Sequence, residues 1–201
     1  SMSFILASQS KYRLALLKQI GYVPSCVAPQ DVDETALPKE KPKDYLKRVT
    51  RLKAHSALRS YPDSIVLAAD TIVVLGCRIF QKPIDREDAK KMLSLFSGRR
   101  FRILTHVCVV QGGCLRERTV ITIGSFKRLS EMEKERYLDT NEWTHTSGGV
   151  AIDELGGVFI KSINGSFTNV MGLPLYETRN LLESFGLYMH WLKEGSFDAS
   201  K

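Results

Sequence analysis

The sequence predicts an α/β fold built on a mixed sheet. Three observations carry this. Strand-like apolar runs alternate with helical stretches along the chain, as in folds where helices cover a sheet. Two of the strand-like segments flank Gly112-Gly113, a hairpin signal that makes at least one strand pair antiparallel. The 201 residues, 43% of them hydrophobic and 25% charged, suffice for a real core without disulfide or metal staples. One domain over residues 1–201 is the expectation, with room for two small lobes.

Taken in order, Phe4–Ala7 is a short apolar strand. Ser10 caps a helix over Lys11–Ile20, and Gly21 closes it. Tyr22–Ala28 reads as extended and the polar Gln30–Lys43 as a loop. A helix follows over Pro42–Tyr61, with Pro42 in its first turn. Ser64–Cys77, rich in Ile, Val, Leu and Ala, reads as a buried strand. Asp85 opens a helix to Phe96, and Gly98 ends it. Phe101–Val110 and Cys114–Phe126 form the hairpin. Ser130 and Glu133 make a capping box for a helix to Leu138. Val150–Ile163 reads as strand, broken at Gly156-Gly157. Pro174–Phe185 and Leu187–Lys193 read as the last two helices. Ser1 ahead of Met2 reads as an expression remnant before the start methionine.

Composition removes several classes of function. No apolar run reaches the roughly 18 residues of a transmembrane helix, and no secretory leader pattern is visible. The four cysteines form no CxxC pair, and the four histidines show no zinc-ligand spacing. Reduced thiols in a cytoplasmic protein are expected. Net charge is +7, and it is unevenly placed. Residues 1–100 hold 18 Lys/Arg against 10 Asp/Glu, whereas the remainder holds 11 against 12. A basic half suggests an anionic partner, either a phosphorylated small molecule or nucleic acid. No RRM, KH, helix-turn-helix or zinc-finger pattern supports nucleic acid.

Some residues fit their surroundings poorly. Asp70 sits inside the apolar run Ile65–Leu75, where a carboxylate is costly unless paired or bound to a cation. An aspartate at a bulge would be the structural alternative. On a helical wheel with Tyr45 at 0°, Lys53 falls at about 80°, among Val49, Leu46 and Ala57. It either snorkels to solvent or meets an anion. Leu6-Ala-Ser-Gln-Ser-Lys-Tyr-Arg13 runs from strand to helix N-terminus, a natural anion site. Ser8 and Ser10 add hydroxyls there, and Arg13 adds a guanidinium. Asp31, Asp33 and Glu34 could hold a hard cation, and Lys82 could place a second positive charge near Asp70. Together these parts suit Mg²⁺ and a polyphosphate.

In order, these pieces resemble the Maf family of nucleoside triphosphate pyrophosphatases. The carrying segments are Leu6–Arg13, Asp33-Glu34-Thr35, Arg51-Leu-Lys-Ala54, Ala69-Asp-Thr-Ile-Val73, Lys82-Pro83, Leu95-Phe-Ser-Gly98 and Gly165–Pro174. The resemblance implies a two-lobed mixed-sheet fold with a central cleft, similar to inosine triphosphate pyrophosphatases, and often a homodimer. It implies a nucleoside triphosphate substrate, Mg²⁺ or Mn²⁺, and a housecleaning role in nucleotide metabolism. By position, Asp70 resembles the base that activates water, and Glu34 a metal-linked or catalytic carboxylate. Ser8, Arg13, Lys53 and Lys82 resemble the phosphate-binding set. Base choice is divided: Tyr12 and Asp153 lean toward the group acting on 7-methyl-GTP, and Thr71 toward the pyrimidine group. Two other readings stand beside this one. One is a regulatory or nucleic-acid-binding protein of cell division without turnover. The other is an inosine triphosphate pyrophosphatase-type activity.

Overall fold

The structure is a computed structural model and describes residues 2–189. Among the described residues, seven strands form one sheet: β1 (Phe4–Leu6), β2 (Cys26–Val27), β3 (Ile65–Leu75), β4 (Arg78–Phe80), β5 (Arg100–Gln111), β6 (Cys114–Phe126) and β7 (Ile160–Asn164). The helices are α1 (Lys11–Gln19), α2 (Pro42–Ser60), α3 (Arg86–Phe96), α4 (Glu131–Asp139), α5 (Phe167–Val170) and α6 (Leu175–Ser184). The strand order is β2-β1-β3-β5-β6-β7, with β4 added on β3. β1 pairs in parallel with β2 and β3, which the crossover helices α1 and α2 allow. From β3 to β7 all pairing is antiparallel. The expected mixed α/β sheet is therefore present.

β3 is covered on both faces, which is why its sequence reads as a continuous apolar run. Val66, Ala68, Ile72 and Val74 pack with Val49, Ala54 and Ala57 of α2. Ile65, Leu67 and Ala69 face the other way, toward Leu17 of α1 and Leu181 and Leu182 of α6. Leu75 joins a separate cluster with Leu93 and Phe96 of α3 and Leu138 of α4. The helix starts follow their caps: Ser10, Asp85 and Ser130 each accept a backbone N–H, and the Ser130–Glu133 capping box is complete.

The structure differs from the sequence reading at a few places. The strand expected over Ser64–Cys77 is present as β3, Ile65–Leu75, and Gly76 at φ 62° then turns the chain into the three-residue β4, which the sequence reading did not include. An apolar run marks the long strand but not so short a partner. Only Cys26–Val27 of the extended Tyr22–Ala28 pairs in the sheet. Val150–Ile163 is mostly turn and 3-10 helix, with strand beginning at Ile160. A Cβ at Gly156 would lie 2.7 Å from Val150 Cγ1 and 2.8 Å from the Ala151 carbonyl, so the chain folds back on itself there. The apolar residues reach the core from turns, not from a strand. The single turn α5, capped by Ser166, was not expected. Of the expected helix Leu187–Lys193, the first three residues are not helical, and 190–193 lie outside the described residues.

Candidate active site

The site exists because β3 outruns β1. Their pairing stops at Leu6 against Leu67, followed by one more bond from Ala7 N to Leu67 O at 2.8 Å. The chain then leaves the sheet at Ser8 and turns into α1. β3 continues to Asp70, which is paired on its far side with His106 of β5. The notch lies beyond the carboxyl end of a parallel strand, where open α/β sheets bind ligands. Ser8, Ser10, Arg13, Glu34, Lys53 and Asp70 all line it.

Asp70 and Lys53, the two misfits of the sequence, meet here. Lys53 Nζ lies 2.5 Å from Asp70 Oδ1 and 3.3 Å from Glu34 Oε1. The side chains of Lys53 and Asp70 are only 15% and 17% exposed, so the lysine does not snorkel. Asp70 is no bulge residue; it lies within the regular β3–β5 ladder. Glu34 is 53% exposed, on a loop tied to α2. Tyr45 Oη donates to its carbonyl at 2.7 Å, and Arg48 Nη2 donates to the Thr35 carbonyl at 2.9 Å. Asp33 instead accepts the Thr35 N–H at 2.9 Å, and bonding to Thr35 holds its carboxyl below the ordinary range. Glu34 is thus the acidic loop residue that reaches Lys53.

A divalent cation fits this donor set. Asp70 Oδ2 is buried and has no hydrogen-bond partner among the described residues. Such an oxygen is costly to leave bare, and a hard cation favours oxygen ligands. Asp70 and Glu34, gathered around one ammonium, are the residues that would hold Mg²⁺ or Mn²⁺.

The segment into α1 supplies donors, with one correction. Ser10 Oγ accepts the Arg13 N–H at 3.2 Å. Ser8 Oγ accepts the Ser10 N–H at 3.2 Å and Arg13 Nη1 at 3.1 Å. Both hydroxyls act as acceptors in these bonds, so each keeps its own hydrogen for an anion. Arg13, however, is largely spent within the protein. Its Nε donates to the Gly172 carbonyl at 2.7 Å and its Nη2 to Thr71 Oγ1 at 3.0 Å. Burial pulls the guanidinium below its ordinary value and the Asp70 charge pulls it back. Arg13 therefore ties α1 to β3 and to the Gly165–Pro174 segment. Lys82 is exposed on the loop after β4 and does not line the notch.

Thr71, the next residue of β3, faces the other side of the sheet and an apolar pocket. Val73, Phe96, Phe101 and Ile103 line that pocket, and Tyr12 and Asp153 also border it. Tyr12 Oη donates to Asp153 Oδ2 at 2.9 Å. The carboxylate raises the phenol above its ordinary value, so Tyr12 stays the donor. Arg13 bonds to Ser8 beside the polar notch and to Thr71 in the apolar pocket, so it joins the two. Sequence reasoning missed what supports Thr71. Its hydroxyl lies 2.7 Å from that of Thr105, and Thr105 Oγ1 reaches the Asn169 carbonyl at 3.4 Å. Buried Asn169 donates to the Ile103 carbonyl at 3.1 Å and to Thr122 Oγ1 at 2.9 Å. This pins the Gly165–Pro174 segment to the sheet. An asparagine beside Val170 and Met171 was the available signal.

A polar notch with carboxylates and an ammonium, joined through one arginine to an apolar pocket, is suited to a ligand anionic at one end and flat at the other. The family model described as Maf-like protein matches residues 3–185, and the chain belongs to that family. It is 46% identical over 185 residues to a dTTP/UTP pyrophosphatase of Wolbachia sp. subsp. Drosophila simulans (strain wRi), covering 91% of this chain and 93% of that protein. It is 44% identical over 184 residues to a nucleoside triphosphate pyrophosphatase of Ehrlichia canis (strain Jake), covering 91% and 96%. Among solved structures, the Staphylococcus aureus Ham1 protein aligns at a TM-score of 0.49 and 14% identity, over 90% of this chain and 96% of that one.

Proposed function

We propose that this enzyme hydrolyses a nucleoside triphosphate to the monophosphate and pyrophosphate, with a pyrimidine base, dTTP or UTP, favoured. The observation that carries the reading is the Lys53–Asp70–Glu34 cluster at the open edge of β3, beside the start of α1. Family membership and relatives named for this activity at about 45% identity support it.

The arrangement of the notch suits the following chemistry. Water attacks the α-phosphorus, and the bond from that phosphorus to the bridging oxygen breaks. Asp70 accepts the proton of the attacking water. The electron pair leaves on pyrophosphate, whose charge Lys53 offsets. The Ser8 and Ser10 hydroxyls and the first turn of α1 hold phosphate oxygens. When bound at Asp70 and Glu34, Mg²⁺ or Mn²⁺ supplies further charge neutralisation. Arg13 orients Ser8 and Thr71. Lys82 lies outside the notch, and its part in phosphate binding rests on resemblance alone.

The apolar pocket takes the base. An ionised Asp153 accepts hydrogen bonds and cannot donate them, which suits the N3–H of uracil or thymine. The basic first half suits a substrate of several negative charges. Four free thiols favour a reducing compartment, in keeping with the cytoplasm. A homodimer is carried by the family resemblance.

The test is a panel of UTP, dTTP, CTP, GTP, ITP and 7-methyl-GTP with Mg²⁺. Pyrophosphate and single phosphate are measured separately. Wild type should release pyrophosphate, fastest from dTTP or UTP. Asp70→Asn should lose about 10³-fold in turnover with unchanged melting, within the usual range for a general base. Turnover retained in Asp70→Asn would remove its assigned role. A preference for 7-methyl-GTP or ITP would overturn the pyrimidine assignment. No pyrophosphate from any member, with salt-dependent binding to DNA, would favour the regulatory reading.

A further inference from the structure

Beneath α2 lies a second polar cluster that the proposed chemistry does not use. His106 is 2% exposed and stands between Asp70 of β3 and Thr119 of β6 in one register line across the sheet. Its Nε2 lies 2.8 Å from Glu117 Oε2, and its Nδ1 lies 2.7 Å from Thr119 Oγ1. Glu117 also takes Arg51 of α2, through Nε at 2.9 Å and through Nη2. The Cys108 thiol donates to the same carboxylate at 3.5 Å, and Lys47 Nζ lies 3.8 Å away.

The proton positions follow from these contacts. The Arg51 hydrogen bonds hold the Glu117 carboxyl down at about 2, so it is ionised and only accepts. His106 must therefore donate through Nε2, and Nδ1 accepts the Thr119 hydroxyl hydrogen. Burial pushes the imidazole below its ordinary value, which favours the neutral ring. The ligand atoms of His106, Cys108 and Glu117 lie within 4.8 Å of one another, as in a metal centre. Two cations of α2 already neutralise that carboxylate, and burial and Glu117 push the Cys108 thiol up, away from the thiolate a metal needs. The cluster is a clamp on α2.

Arg51 and Lys53 sit two residues apart, about 200° around the helix. They flank the stripe that α2 lays on the sheet. Arg51 is tied to β6 and Lys53 to β3. A roll of α2 about its axis would withdraw one side chain as it advanced the other. We propose that Glu117, oriented by His106, is a positioning residue: it clamps Arg51 and thereby sets the roll of α2 that presents Lys53 to Asp70. The proposal rests on the reading of Lys53 and Asp70 given above.

Steady-state hydrolysis of dTTP with Mg²⁺ tests it in Arg51→Met, Glu117→Gln, the double variant, Arg51→Lys and Lys53→Met. Arg51 is 40% exposed at the side chain, so Arg51→Met keeps the test available even if Glu117→Gln fails to fold. Each single clamp variant should lower kcat about tenfold with KM within about twofold, and the double variant should be no worse than the worse single. Arg51→Lys should recover most of kcat. Wild-type kcat in Arg51→Met, or losses that add in the double variant, would overturn the clamp. Lys53→Met separates the two readings. If it is fully active, the site reading itself fails. If it is inactive while the clamp variants are fully active, only the clamp fails.

Discussion

Asp70 and Thr71 are neighbours in sequence, yet one lines the polar notch and the other the apolar pocket. A single strand step thus separates the notch proposed to take the phosphates from the pocket proposed to take the base. At the base end, Asp153 is bonded to Tyr12 and can only accept while ionised. Asp153→Asn adds a donor in the same shape. The UTP over CTP ratio of kcat/KM should fall about tenfold, because uracil offers N3–H where cytosine offers a bare N3. An unchanged ratio would place base recognition elsewhere. Asp70 and Lys53 were legible in the sequence because each breaks an apolar pattern. His106 breaks the same pattern inside Ile103–Val110, and its role emerges only from its partners on β6. Arg13 shows the limit of such reading. A sequence displays five N–H donors but not where they are spent, and here three are used within the protein.

The key element is α2, which carries Lys53, Arg51 and the two side chains that hold the Glu34 loop. Its docking should be pH-dependent through Glu117. The groups facing that carboxylate are Arg51 and Lys47 from α2 and His106 and Cys108 from β5. The folded value of about 2 lies below the ordinary 4.5. Its stabilising contribution is therefore complete above 4.5 and is lost as pH falls toward 2. The difference in unfolding free energy between wild type and Glu117→Gln should shrink across that window. A difference that stays constant would show that Glu117 is not held by charge. Elements with caps or strong periodicity were legible: α2 ends at Ser60 against an expected Tyr61. The stretch from Val150 to Phe159 was not. Its apolar residues pack from turns, which have no period, and Gly156 is crowded by atoms of its own loop.

Across the whole molecule, the sheet switches from parallel to antiparallel at β3, and the site sits on that strand. The switch leaves β3 with a short neighbour on one side and a long one on the other. That inequality opens the notch, and α1, the Glu34 loop and α2 fill its rim. The alternation of strands and helices made the mixed sheet legible. The strand order was not, because no local pattern says which β-segments pair over long sequence separation. In the proposed reaction, water attacks the α-phosphorus beside Asp70. Hydrolysis of dTTP in ¹⁸O-labelled water, with mass spectrometry of both products, tests it most directly. Attack at the α-phosphorus should put one labelled oxygen in the monophosphate and none in pyrophosphate. Label in pyrophosphate, or single phosphate as the released product, would contradict it.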